Sequence, residues 1–242
     1  MNRNILVVND DGIGSEGIVR LAKAASRFGR VWVVAPEHQC SGMSQKITIF
    51  EPISVTPCGF PVPVEGAWRI GGSPADCVKA AVNFLMTEEK PDYVFSGVNN
   101  GYNTGFDTAY SGTVGAAMEA LMKGIPAIAF SNHYNGSWET VDRWLEELIG
   151  ELIETPLPPF EMWNVNFPGV PLSECRGILR GRRVAPVQLY RDLYTREERP
   201  DGGFTICNAS LPIPPHLAPE DSDVNAVLTG HISVGTLRCS VL

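Results

Sequence analysis

Asp10 and Asp11 stand side by side just beyond a four-residue apolar run, Ile5 to Val8, and directly before Gly12. Further along the chain, Ser41 lies in "EHQCSG", Asn99 in "SGVNNGYN", and Ser111, Gly112 and Thr113 in "YSGTVG". Asp10, Asp11, Ser41 and Asn99 offer carboxylate, hydroxyl and amide oxygens with no sulfur or imidazole among them, the donor set of a hard divalent cation such as Mg²⁺ or Mn²⁺. Ser111, Gly112 and Thr113 put two hydroxyls and free backbone N–H groups where a helix is predicted to begin, a favourable seat for a phosphate. Each stretch also has a plainer reading. Asn-Asp-Asp-Gly is ordinary turn chemistry, Ser111 and Thr113 are ordinary caps, and Asn-Gly is an ordinary turn. Their joint occurrence at successive predicted strand ends points instead to one metal and phosphate site. His38 and His133 lie near these loops without a role that their spacing assigns.

The same opening loop carries a competing pattern. Gly12, Gly14 and Gly17 spell G-x-G-x-x-G after a strand, and Glu37 follows twenty residues past Gly17, as in a dinucleotide-binding fold. Electrostatics decides against it. A pyrophosphate on these glycines would face Asp10 and Asp11, and like charges ~4 Å apart cost about 4 kcal/mol at an effective dielectric near 20. A divalent cation reverses the sign by neutralising the pair and attracting the phosphate.

The elements that must position these residues alternate strand and helix. Ile18, Leu21, Ala22 and Ala25 recur at helical spacing behind Ser15, followed by the strand "VWVVA". "QKITIFEPISVTP" reads as a strand or ribbon broken at Pro52. Ser73, Pro74 and Asp76 announce a capped helix, "DYVFSG" reads as a strand ending at Ser96, and a helix runs from Ser111 to a stop at Gly124. "PAIAFS", a helix carrying Trp144, Leu145, Leu148, Ile149 and Leu152, and "MWNVNF" complete the series. This is the β-α-β pattern of an α/β fold, a parallel sheet with helices on both faces, whose ligands gather at the carboxyl ends of the strands. Beyond Pro168 the sequence turns Arg-rich and then Pro-rich, ending in the strand-like "HISVGTLRCSVL", and reads as an extended β-rich appendage. The expected division is residues 1–170 as catalytic core and 171–242 as an oligomerisation arm.

Composition bounds the rest. The 242 residues are 44% hydrophobic and 19% charged, with a net charge of −8, which argues against a general nucleic-acid binder. Between Arg176 and Arg199, seven Arg face three acids, a solvated arm or an anion patch. The opening apolar run is too short for a signal peptide and no stretch reaches the ~18 apolar residues of a membrane helix, so a cytoplasmic location is expected. Six scattered cysteines, with no C-x-x-C pair, read as reduced thiols.

"NDDGIGSEG", "APEHQCSG", "GGSPADCV", "SGVNNGYN" and "YSGTVGAAMEA" resemble, in order and spacing, the motifs of the stationary-phase survival protein SurE family of metal-dependent 5'-nucleotidases. "WNVNFP" and "SDVNAVLTGHISV" extend the resemblance more thinly. It implies a Rossmann-like three-layer core, and a phosphomonoesterase of acid type that hydrolyses nucleoside 5'-monophosphates, with 3'-monophosphates as the neighbouring class. It also implies one divalent metal per subunit, and homodimers or homotetramers whose carboxyl-terminal arms exchange. Carried over by position, the metal ligands are Asp10, Asp11, Ser41 and Asn99, with Asp10 and Asp11 catalytic. The phosphate neighbourhood is Gly42, Asn103, Ser111, Gly112 and Thr113. Cys40 stands where the family has Gln or Arg, Gly235-Thr236 replaces Thr-Pro, and Arg176 to Ser222 matches poorly. Two other classes are separable by experiment. A dinucleotide-binding oxidoreductase would bind NAD(H) without metal, and a non-catalytic nucleotide- or RNA-binding protein would bind through Arg176 to Arg199 without turnover.

Overall fold

The computed structural model describes residues 3–190, 193–209 and 212–239. The strands are β1 (Arg3–Val8), β2 (Gly29–Pro36), β3 (Val55–Pro57), β4 (Gly66–Ile70), β5 (Tyr93–Asn100), β6 (Ala127–Asn132), β7 (Glu161–Asn166), β8 (Ile178–Arg182), β9 (Tyr194–Glu198), β10 (Phe204–Asn208) and β11 (Ile232–Arg238). The α-helices are α1 (Glu16–Ala25), α2 (Pro74–Ala80), α3 (Gly112–Met122), α4 (Glu139–Ile153) and α5 (Asp223–Leu228). Nine strands form one sheet in the order β3-β4-β2-β1-β5-β6-β7-β11-β8. Neighbours from β4 to β7 run parallel, and β11 lies antiparallel to β7.

A parallel sheet needs cover on both faces, and the strand sequences supply apolar side chains to both. Along β1, Ile5 and Val7 pack with Ile18 and Leu21 of α1 and Leu148 of α4. Leu6 and Val8 pack on the opposite face with Val78 of α2 and Ala117 and Ala120 of α3. The predicted helix starts hold. Ser15 accepts from the Ile18 N–H, Ser73 and Asp76 form a complete capping box, and Ser111 accepts from the Val114 N–H. At the end of α3, Ile125 N–H bonds the Ala120 carbonyl and Gly124 N–H the Leu121 carbonyl, the paired closure of a Schellman motif.

Before residue 171 the structure differs from the sequence reading in three places, and beyond it the expected appendage is largely folded onto the core. Residues 45–54 form no strand, because Thr48 is captured by Asp76, which accepts its N–H at 3.1 Å and its hydroxyl at 2.7 Å. The strand added beside β2 is β4, whose "GAWRI" lies among prolines and glycines and carries little periodicity. β5 continues past Ser96 to Asn100, with a register shift between Ser96 and Asn99, an irregularity of the kind that re-aims side chains beside a site.

The carboxyl-terminal third contributes β8 and β11 to the main sheet. It also forms a small separate core in which Ala185, Leu189, Ile213, Ala218, Val224 and Val227 pack with Tyr102. The extended part is the hairpin of β9 and β10, whose residues are all exposed. Among the described residues no helix is long and apolar enough to cross a membrane.

Candidate functional site

Asp10 and Asp11 follow β1 at the carboxyl edge of the sheet. The turn that presents them requires Gly12, whose φ is +95°. Asn9 closes it from beneath, donating to the Gly12 carbonyl at 2.9 Å and the Ser15 hydroxyl at 2.7 Å. The third glycine of the fingerprint has a packing reason: a Cβ on Gly17 would lie 1.9 Å from the Val98 carbonyl oxygen. Glu37, the distant acid of that pattern, faces Arg69 at 3.7 Å. Gly12 and Gly17 therefore serve a turn and a close helix–strand approach.

Asp10 is 4% exposed. Its Oδ1 accepts the Thr113 hydroxyl at 2.5 Å across 103 residues of chain. Burial pushes its carboxyl up to about 6, with Asp11 adding to the rise, while the Thr113 hydroxyl and nearby backbone N–H groups pull it down. Asp11 is half-buried and its Oδ2 accepts the Asn100 N–H at 2.8 Å. Burial raises it too, against that hydrogen bond. Among the described residues neither carboxyl is paired with a Lys, Arg or His side chain.

The start of α3 closes on Asp10. A Cβ on Gly112 would meet the Asp10 Cβ at 2.9 Å and its Oδ2 at 3.1 Å, so any larger residue there would displace the carboxylate. Ser111 is buried as the cap. The loop after β2 approaches from the other side, where the Cys40 N–H donates to the Asp10 carbonyl at 2.7 Å. Ser41 is exposed and its hydroxyl accepts from Gln39 at 2.9 Å; Gly42 is exposed with a φ of +69°. That loop is pinned farther on, where the Ser73 hydroxyl donates to the Lys46 carbonyl at 2.5 Å.

Two expected phosphate contacts find other partners. The Thr113 hydroxyl is bound to Asp10 and its residue is fully buried, so in this structure it faces the carboxylate and not an open phosphate seat. Asn103 is 5% exposed and its amide donates to the Ser131 hydroxyl at 2.8 Å. Asn166 grips its backbone, accepting the Asn103 N–H and donating to its carbonyl. The Asn99 amide donates to the Gly101 carbonyl at 2.8 Å. His133 stacks edge-on against Tyr102 at 5.1 Å. Asn100, absent from the expected site, is the residue that fixes Asp11. Its sole sequence cue was adjacency to Asn99.

Two clefts flank the loop of residues 38–40. One, of about 470 Å³, is bordered by Asp11, Gln39, Asn100, Asn135 and Trp138. The other, of about 340 Å³, is bordered by His38, Cys40, Lys46 and Ser73. Asp10 and Asp11 offer hard carboxylate oxygens and, among the described residues, pair with no cationic side chain, which fits a divalent metal. Among the described residues no three His, Cys, Asp or Glu side chains cluster, so such an ion would rest on two carboxylates and neutral oxygens.

The family model described as survival protein SurE matches residues 5–187. A 5'-nucleotidase SurE of Neisseria gonorrhoeae is 42% identical over 177 residues, covering 72% of this chain and 69% of that protein. A 5'-nucleotidase SurE of Synechococcus sp. is 36% identical over 245 residues, covering 97% and 91%. The crystal structure of the SurE protein from Aquifex aeolicus matches the fold with a TM-score of 0.83 at 34% identity, over 99% of this chain and 94% of that one. The match runs through every loop that meets at Asp10 and on into the carboxyl-terminal strands, and on this ground the chain belongs to the survival protein SurE family.

Proposed function

We propose that this chain is a 5'-nucleotidase that hydrolyses nucleoside monophosphates with a divalent cation, Mg²⁺ or Mn²⁺. The observation that carries the reading is the buried Asp10 beside Asp11, raised in pKa with no paired cation among the described residues and pressed against the α3 start at Gly112. Asp10 and Asp11, with Ser41 and Asn99, are the residues that would hold the ion. When bound, it supplies charge neutralisation at the phosphoryl group and a lowered pKa for water. The chain's own part is positioning. The first-turn N–H groups of α3 orient the non-bridging oxygens, joined by Gly42 and the Ser111 region, and Asp10 orients the attacking water and takes its proton. Thr113 and Asn103 act behind these groups, through Asp10 and the loop leading to α3.

The test is a phosphate-release screen over nucleoside 5'- and 3'-monophosphates and sugar phosphates, with EDTA and with Mg²⁺ or Mn²⁺ restored. Metal-dependent release from nucleotides is expected; release that EDTA leaves intact would overturn the reading.

We further propose that residues 171–242, beyond the two strands they lend to the main sheet, act as an oligomerisation arm giving a homodimer or homotetramer in the cytoplasm, with no stable nucleic-acid complex. The support is the β9–β10 hairpin, where Tyr194, Phe204 and Ile206 are more than half exposed; an isolated two-stranded hairpin is marginal in water and gains from a partner surface. A monomeric mass by light scattering at micromolar concentration would overturn this.

A further inference from the structure

The cleft beside Asp11 has a composition that the phosphate chemistry does not use. Its walls include the amides of Gln39, Asn100 and Asn135 and the carboxylates of Asp11 and Glu16, with no Lys or Arg among them. Glu16 is paired with Arg20 and Asp11 is assigned to the metal, so what these walls offer a ligand is chiefly amide groups, which suit the neutral, hydroxyl-bearing remainder of a phosphate ester. At about 470 Å³ the space falls within the usual range of small-molecule sites.

One aromatic ring borders it, Trp138, and that ring is held in place. The Arg20 guanidinium lies 5.2 Å from the indole centroid, itself paired with Glu16 and Asp142. A Cβ on Gly17 would stand 3.3 Å from the Trp138 Cη2, so the third glycine of the loop makes room for the indole as well as for β5. The segment carrying Trp138 is fastened to the reactive carboxylates. Asn135 N–H donates to the Asn100 side chain at 2.8 Å, and Asn100 N–H donates to Asp11 at 2.8 Å. The cleft on the other side of the 38–40 loop has Lys46 and His38 but no phenyl, phenol or indole ring.

We propose that Trp138 is the stacking platform for the nucleobase, which makes this cleft the nucleoside subsite and Trp138 a specificity-determining residue. The inference rests on the nucleotidase reading and assigns the base to the Asp11 side of the centre. A planar base on a preorganised indole gains binding that a ribose alone cannot.

The experiment compares Trp138→Ala and Trp138→Phe with wild type on adenosine 5'-monophosphate and on ribose 5-phosphate, which lacks the base. Trp138→Ala should raise KM for the nucleotide by about five- to hundred-fold, the range of base–aromatic stacking, with kcat/KM for ribose 5-phosphate unchanged. Trp138→Phe should recover most of the loss. Unchanged nucleotide kinetics, or equal damage to both substrates, would overturn the platform and leave the nucleotidase standing. Equilibrium binding of adenosine 5'-monophosphate covers the case in which wild type hydrolyses neither. Binding that requires Trp138 would uphold the subsite while the nucleotidase reading falls, and no binding to wild type would overturn both.

Discussion

Asp10 at the end of β1 and Asp223 at the start of α5 are both buried aspartates, 4% and 3% exposed, and burial raises both. Their surroundings make them opposites. Asp223 accepts the N–H groups of Gly105 at 2.9 Å, Ala185 at 2.9 Å and Val224 at 2.8 Å, so its lone pairs are spent on joining three backbone segments. Asp10 has the Thr113 hydroxyl and the backbone N–H groups of its own residue and Thr113, but also a second carboxylate next to it. A carboxylate saturated with N–H donors is a staple. One buried beside a like charge is strained until a cation arrives. The two are linked through structure, because Asp223 anchors Gly105 and Asp107 accepts the Leu189 N–H at 2.8 Å, which fastens the loop leading to Ser111 and α3.

The sharpest way to break the comparison is Asp11→Asn, which removes one unit of ligand charge while keeping shape. It should lower kcat/KM about a thousand-fold at moderate Mn²⁺, since a catalytic metal supplies several kcal/mol of charge stabilisation, and leave the melting temperature unchanged or raised. Full activity at saturating metal would remove the pair from the metal site. Asp223→Ala should do the reverse. It strands three buried N–H groups, and unfolding by urea should show a loss of about 3 kcal/mol, with lost activity recovered on the fraction that remains folded. A loss under 1 kcal/mol, on the order of an average substitution, would mean that water replaces the carboxylate and that it is no staple.

Acid titration sharpens the contrast further. Asp10 has a folded pKa raised to about 6 from the ordinary 3.8, so the native state binds its proton first. Metal-free protein should therefore gain stability as pH falls from about 6 towards 4, by an upper bound of roughly 3 kcal/mol from this group. The gain should vanish in Asp10→Asn and be replaced, in excess Mn²⁺, by a loss on acidification as protons compete with the ion. Identical pH profiles for wild type and Asp10→Asn would show that the carboxyl is not strained.

The parts of this molecule legible in the sequence are those set by neighbours along the chain. Ser15, Ser73 with Asp76, Ser111 and Gly124 each act within one turn of helix, and they mark helix ends wherever the chain goes. The Asp10–Asp11 pair and Gly12 share a single turn and were equally readable. What escaped depends on partners far away. β11 reads as a strand by itself, but its place between β7 and β8 is a matter of non-local pairing, and β4 is recruited by β2 rather than by its own pattern. Thr48 belongs to a β-branched alternation that Asp76 overrides. Asn103 reads as a loop amide free for a ligand, until Ser131 and Asn166 take it inside.

Thr113 is the finest test of where the line between the two kinds of aspartate falls. Its hydroxyl donates to Asp10 and contributes to holding that carboxyl below where burial alone would put it. Thr113→Val keeps the β-branched shape and removes the donor, so Asp10 should become harder to ionise and a poorer ligand. Groups that support a metal ligand cost about 10- to 100-fold in metal affinity when lost, and the low end is expected because one hydroxyl is removed from a site with backbone donors remaining. Titrating Mn²⁺ against nucleotide hydrolysis should show the half-activating concentration raised about ten-fold, with kcat restored at saturation. A ten-fold fall in kcat/KM with the Mn²⁺ requirement unchanged would place the hydroxyl on the phosphate instead, and no effect on either would leave Thr113 as packing beneath the helix start.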